Sequence, residues 1–164
     1  DIECRTLDQI IEWPDQLMEV CHDYIQWLFP TDEASHFNSD APLLSEELQR
    51  VFSEDAELRA NFLRGLGRFL RFLGLVWADA SEKGEGIRIL KADTFPKRTR
   101  MCWQGPNNHN WRRMTRVLRC LRLMDMRKEQ CALFACLESI TLEFPGLIHD
   151  EAIIRWRNEV ECEI

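Results

Sequence analysis

The 164-residue chain holds no run that approaches the roughly 18 uninterrupted apolar residues of a membrane span. Its acidic N-terminus lacks the basic start and the apolar run of a signal peptide, so no membrane association and an intracellular setting are expected. No C-x-x-C or H-x-x-x-H spacing occurs, and Cys131 and Cys136, five residues apart, fall on different sides of a helix; no metal is expected. Phosphate-loop and dinucleotide signatures are missing, because Gly84 and Gly86 stand alone, and no cofactor is expected. No serine sits on the sharp strand-to-helix turn from which a Ser, His, Asp triad is built. Fixed-period repeats and low-complexity tracts are absent as well.

What is present suits one domain, 1–164, with a real core, since 45% of the residues are hydrophobic. Seven cysteines, an odd number, lie largely inside apolar helical patterns, where a thiol behaves as a small buried hydrophobe and a reduced compartment is the simpler setting. The net charge of -7 argues against generic nucleic-acid binding, but it is uneven. Between Gly86 and Lys128 there are 12 basic residues against Asp93 and Asp125, a local balance of +10 that leaves -17 for the remainder.

Periodicity predicts an all-α chain: a single helical bundle of about six or seven helices with one long irregular loop. Thr6 and Gln9 have capping-box spacing for a short first helix that Pro14 ends. A second helix is expected from Pro14 to Leu28, with Leu17, Cys21, Tyr24 and Leu28 on its apolar stripe and Gln26 on its polar side. Ser45 and Ser53 each serve as a cap for a following helix. The helix from Glu54 to Leu73 buries Leu58, Phe62, Leu66 and Phe69 and turns Arg59, Arg64, Arg68 and Arg71 outward; Gly74 closes it, and Gly65 and Gly67 invite a neighbouring helix. Residues 78–109 keep no helical period, though Ile87 to Leu90 fits a short strand and Gly105, Pro106, Asn107 and Asn108 mark a turn. Next comes an Arg-rich helix from Asn110 to Met124, two-faced, then a helix from Arg127 to Phe144 so apolar that it reads as the bundle's centre. A final helix carries Leu147, Ile148, Ile153, Ile154 and Trp156.

Two stretches carry a family resemblance. His22-Asp23-Tyr24-Ile25-Gln26-Trp27-Leu28-Phe29-Pro30 is similar to H-x-Y-I-Q-W-L-F-P, and His109-Asn110-Trp111-Arg112-Arg113-Met114-Thr115-Arg116-Val117-Leu118 to H-N-x-x-R-I-T-R-I-L, both of the opioid growth factor receptor conserved domain. Pro42-Leu43, Phe72-Leu73-Gly74 and Glu143-Phe144-Pro145-Gly146 match further along. The resemblance implies an all-helical intracellular domain, unrelated to membrane opioid receptors, in a family whose named member is associated with the nucleus and binds an enkephalin peptide. Within the 78–109 loop Arg100 follows the family pattern, while the aromatic residues around it differ.

Several residues admit two roles. Tyr24 and Trp27 either line a ligand pocket or pack the core. His22 and His109 either transfer protons or stand beside a cap, with His109 or Asn110 closing the start of the Arg-rich helix. Gln26 is a surface residue or reaches the second motif, and Trp103 belongs to the aromatic, basic end of the loop. Arg113 and Arg116 suit a carboxylate or phosphate. Against that stands neutralisation of the first 57 residues, which hold 15 acidic and 2 basic side chains. Arg112 and Arg119 are assigned to that pairing, and Arg113 to a buried structural or ligand contact.

Two functions follow. In the first, a non-catalytic helical domain recognises a peptide or small anionic ligand in a cleft between the motif helices, using Tyr24, Gln26, Trp27, Trp103, Asn110, Arg113 and Arg116. In the second, a small metal-free enzyme (a cyclase, isomerase or lyase) works on an apolar organic metabolite with His22, His109, Arg113 and Arg116 as its chemistry.

Overall fold

The structure, a computed structural model, describes residues 3–35, 38–78, 86–105 and 108–162. Gly84 and the expected turn at Pro106 and Asn107 lie outside them. Local capping sets the first helix, α1 (Leu7–Glu12): the Thr6 hydroxyl accepts from the Gln9 amide and the Gln9 side chain accepts from the Thr6 amide. The helix expected over residues 14–28 is two, α2 (Asp15–Val20) and α3 (Tyr24–Leu28), broken where Cys21 turns extended (φ -79°, ψ 127°). Ser45 caps α4 (Glu46–Glu54) as expected, whereas Asp55, not Ser53, caps α5 (Ala56–Leu73) by accepting from the Glu57 and Leu58 amides.

Gly74 ends α5 with φ 79°, and a Cβ there would stand 2.8 Å from the Cα of Phe95, so glycine is required both by backbone conformation and by the close pass of the following segment. Gly65 and Gly67 play a milder part than expected. A Cβ at either would make ordinary contact with side chains, Leu7 and Leu28 at the first and Trp77 at the second.

Within the expected long loop the described residues are structured. β1 (Leu75–Ala78) pairs antiparallel with β2 (Arg88–Lys91) in the register Leu75 to Lys91 and Ala78 to Arg88, so the strand read at Ile87 to Leu90 exists and has a partner. A short helix α6 (Phe95–Arg98) and a π-helical turn (Thr99–Trp103) follow. Then come α7 (His109–Leu123), α8 (Arg127–Glu143) and α9 (Asp150–Glu161). The chain is therefore mostly helical, with one small two-stranded sheet and nine α-helices among the described residues. That exceeds the expected six or seven because one helix is split and short ones fill the loop.

The core is one continuous cluster to which α5 and α7 contribute heavily. Leu66, Phe69, Leu70, Phe72 and Leu73 on the first and Met114, Val117, Leu118 and Leu121 on the second are fully buried, each worth roughly 1.5–3 kcal/mol of transfer free energy. Phe29 packs on α5, edge-on to Phe62 with ring centroids 5.5 Å apart. α8 is not the centre: Cys131 is exposed and Leu142 is 82% exposed, while its inward face holds Leu133, Leu137 and Ile140. Its buried Gln130 ties the bundle by donating to the carbonyls of Leu118 in α7 and Glu159 in α9.

Candidate functional site

The residues singled out by the two motifs meet where α2, α3 and α7 join. Asn108, rather than His109 or Asn110, caps α7 by accepting from the Asn110 amide at 2.8 Å. That frees the Asn110 side chain, fully buried, to donate to Glu19 (3.1 Å) and to the carbonyl of Cys102 (3.1 Å). Arg113, one turn on, is 5% exposed. Its Nη1 donates to the Met18 carbonyl (2.9 Å) and to Asn110 Oδ1 (3.0 Å), and its Nη2 to the carbonyls of Cys21 (2.7 Å) and Glu19 (3.5 Å).

These acceptors explain the break in the expected long helix. A helix ends with carbonyls that no following turn can satisfy. Arg113 takes the ones at the end of α2, at the point where the chain leaves the helix. Three more arginines do the same for other helices. Arg68 donates to the carbonyl of Trp13 after α1 (2.8 Å), Arg116 to that of Phe29 after α3 (3.1 Å), and Arg98 to that of Phe72 in the last turn of α5 (2.6 Å). Trp103, fully buried, adds an indole N–H to the Leu73 carbonyl (2.9 Å).

Counter-charge comes from α2. Asp15 bridges the buried guanidiniums of Arg68 (2.7 Å) and Arg98 (3.1 Å), and Glu19, one turn later on the same face, meets Asn110 and approaches His109 Nε2 at 3.0 Å. The His109 approach is not an aligned hydrogen bond, and it becomes an ion pair only when the ring is protonated. Neither carboxylate was singled out from sequence. Their i, i+4 spacing in an otherwise apolar segment was the available signal.

Other motif residues fall around this network. Tyr24 is completely buried, with Arg113 over its ring at 5.3 Å and Trp13 edge-on at 5.6 Å. Burial raises its phenol well above the ordinary range, opposed in part by Arg113 and Arg68. Gln26 is 6% exposed, so its place on a polar helix side is corrected. Its amide, with the nitrogen toward the preceding turn, donates to the carbonyls of Asp23 (2.8 Å) and His22 (3.0 Å). Trp27 is half-buried. Arg68 is likewise turned inward, not outward with Arg59 and Arg64. Arg119 pairs with Asp32 (2.8 Å) and Glu33 (2.7 Å), the neutralisation expected of it, and holds the Asp32 carboxyl below its usual range. Arg112 is exposed and makes no ion pair among the described residues.

His22 and His109 stack at a tilt, ring centroids 4.9 Å apart, at the solvent edge of the network. Burial first, then Arg113, lowers the His109 pKa from its ordinary 6.5, while Glu19 pulls the other way. In the folded state the neutral ring is favoured, so the unfolded chain takes up the proton more readily. The stability contribution is full above about pH 6.5 and is lost as the pH falls through the lowered folded value. Urea unfolding at pH 7.5 and 5.5 is expected to show the wild type losing more stability on acidification than His109→Gln; equal losses would refute the assignment.

Two cavities lie away from these residues. One of about 200 Å³ sits between the first turns of α7 and α9 and is lined by Trp111, Arg112, His149 and Arg155 among others. The second, about 240 Å³, lies between β2 and α8. Neither is lined by His22, His109, Arg113 or Arg116. The described residues contain no cluster able to hold a metal and no helix long and apolar enough to cross a membrane.

Comparison with known proteins fits both motif stretches. The family model described as the opioid growth factor receptor conserved region matches residues 6–152. The chain belongs to this family. Human opioid growth factor receptor is 31% identical over 97% of the chain, covering 23% of that protein. The rat and mouse proteins of the same name are 30% and 29% identical over 77% of the chain, covering 21% and 19% of their own lengths. The chain thus spans about a fifth of the relatives it matches. No solved structure matches it. Of the motif residues, His22, Tyr24, Asn110, Arg113 and Arg116 join α2 and α3 to α7, while Gln26 bonds locally to the carbonyls of His22 and Asp23.

Proposed function

We propose that this opioid growth factor receptor domain is a non-catalytic recognition module that takes a peptide of the opioid class. The observation that carries the reading is the commitment of the motif's polar groups. Arg113, Arg116 and Asn110 are held by backbone or side-chain partners within the chain, so these groups are already engaged inside the fold. The relatives' name, receptor for an opioid growth factor, supplies the ligand class. Because Arg113 and Arg116 span the interface between the motif helices, that interface is the scaffold and the peptide is seated on another surface. An apolar-substrate cyclase, isomerase or lyase would need a cavity converging on His22 or His109, and the two cavities described have other linings. An intracellular setting goes with this reading: Cys102 and Cys136 are buried thiols, pushed up to about 12 and about 11 by that burial.

Isothermal titration with an enkephalin pentapeptide tests the ligand class. Saturable binding is expected, and it survives high salt because Arg113 and Arg116 are engaged by carbonyls inside the fold rather than offered to a ligand. Heat of dilution alone, up to millimolar peptide, would overturn the reading.

A further inference from the structure

We propose that the cavity between the first turns of α7 and α9 binds a monocarboxylate carried on a small apolar or aromatic stem. This goes beyond the opioid peptide reading and does not rest on it. The residue that carries the proposal is Arg112, which lines the cavity from α7. Of the five arginines on that helix, Arg113 and Arg116 are held by carbonyls, Arg119 by Asp32 and Glu33, and Arg122 by Glu159. Arg112 is exposed and has no partner among the described residues, and of the five it is the one that stands against a cavity.

The other groups left unengaged here are mostly donors. Arg155 lines the cavity from α9 and meets Glu151 at 3.4 Å, but both side chains are more than half exposed, so the pair is weak and opens readily. His149 stands at the N-cap of α9 and makes no side-chain bond to the first turn, so the amides of Asp150 and Glu151 have no acceptor among the described residues. The indole N–H of Trp111, whose side chain forms part of the wall, is likewise buried without an acceptor. Asn108 and Thr115 are already bonded to backbone groups nearby.

Charge and size define the occupant. With His149 neutral, the two guanidiniums of Arg112 and Arg155 against the single carboxylate of Glu151 leave the lining at +1. A monocarboxylate neutralises that charge, and a phosphate dianion overshoots it. A guanidinium takes a carboxylate through two parallel N–H bonds, which suits an arginine with no other partner. At about 200 Å³ the cavity is smaller than the roughly 300–1,000 Å³ of sites that enclose a drug-sized ligand, so it holds a small acid or the last residue of a chain. Trp111 and Ala152 offer the apolar wall for the stem.

The test uses amide correlation spectra of the whole chain with phenylacetate, with neutral phenylacetamide, with inorganic phosphate and with acetyl-glycyl-phenylalanine bearing a free carboxylate. Phenylacetate is expected to shift the amides of residues 108–115 and 149–155 in a saturable way, more weakly as salt is raised, and phenylacetamide is not. Two substitutions at exposed positions are expected to move the affinity in opposite directions with the fold's spectrum retained. Arg112→Gln weakens phenylacetate at least about tenfold, and Glu151→Gln, which removes the lining's carboxylate and releases Arg155, strengthens it about threefold. The two acids separate the sources of the carboxylate: tighter binding of the dipeptide assigns the cavity to a chain end, and tighter binding of phenylacetate to a free acid. Absence of shifts at these residues, equal shifts by acid and amide, tighter binding of phosphate than of phenylacetate, unchanged affinity in Arg112→Gln, or weaker binding in Glu151→Gln would each overturn the proposal.

Discussion

Arg113→Ala is expected to destabilise the domain by about 3–5 kcal/mol, measured as the change in urea unfolding free energy. The substitution strands the buried carbonyls of Met18 and Cys21 and the side-chain oxygen of Asn110, each of which now accepts from a charged donor. A buried acceptor left without its donor costs about 1–3 kcal/mol, and the losses overlap because they share one guanidinium. Tyr24 also loses the cation over its ring. Arg113→Lys recovers only part, since an ammonium cannot reach two diverging carbonyls and an amide at once. A loss under about 1 kcal/mol in the alanine variant would mean that α2 does not end on this side chain.

The second large effect is expected at Asp15. Asp15→Asn keeps the size of the side chain but leaves Arg68 and Arg98, 6% and 4% exposed, without the carboxylate that bridges them. Removing one partner of a fully buried ion pair costs about 3–5 kcal/mol. The Asp15 side chain is 41% exposed, so solvent screens part of this and about 2–3 kcal/mol is expected. Arg68 and Arg98 keep their carbonyl acceptors, which separates the carboxylate's share from the caps themselves. Equal urea midpoints for wild type and Asp15→Asn would show that the carboxylate is dispensable.

How far the sequence led depends on the range of the interaction. The capping box at Thr6 and Gln9, the Ser45 cap and the Gly74 termination are settled within a few residues, and each stands where local reasoning puts it. The strand at residues 88–91 is legible by itself, but its partner is not, because Leu75 to Ala78 directly follows the end of α5 and is only four residues long. Helical spacing makes α7 Arg-rich and two-faced, but it reports which side of a helix a residue occupies and not what arrives there from far along the chain. The acceptors of Arg113 lie more than ninety positions earlier. The same distance hides the break in the helix expected over residues 14–28, whose apolar stripe continues unbroken from Leu17 through Tyr24 to Leu28. Gln26 was placed on a polar face for the same reason; once the helix is interrupted, its amide turns back to the freed carbonyls of His22 and Asp23.

A shared device links α1, α2, α3 and α5, the closing of each C-terminus by an arginine from another element. A favourable charge at the negative end of the helix dipole and a hydrogen bond to an orphan carbonyl coincide in one side chain. The short helices α1, α2 and α3, five or six residues each, are too brief to be stable alone, and the arginine caps fix where they stop. These four arginines therefore fix where α1, α2, α3 and α5 end.

The most direct measurement of that claim is the nitrogen-15 spectrum of the arginine side chains at neutral pH. The guanidinium protons of Arg113 and Arg98 are expected to be resolved and slow to exchange, held by their carbonyls, while those of exposed Arg112 are averaged by rotation and rapid exchange. Equally fast exchange for Arg113 and Arg112 would contradict the account.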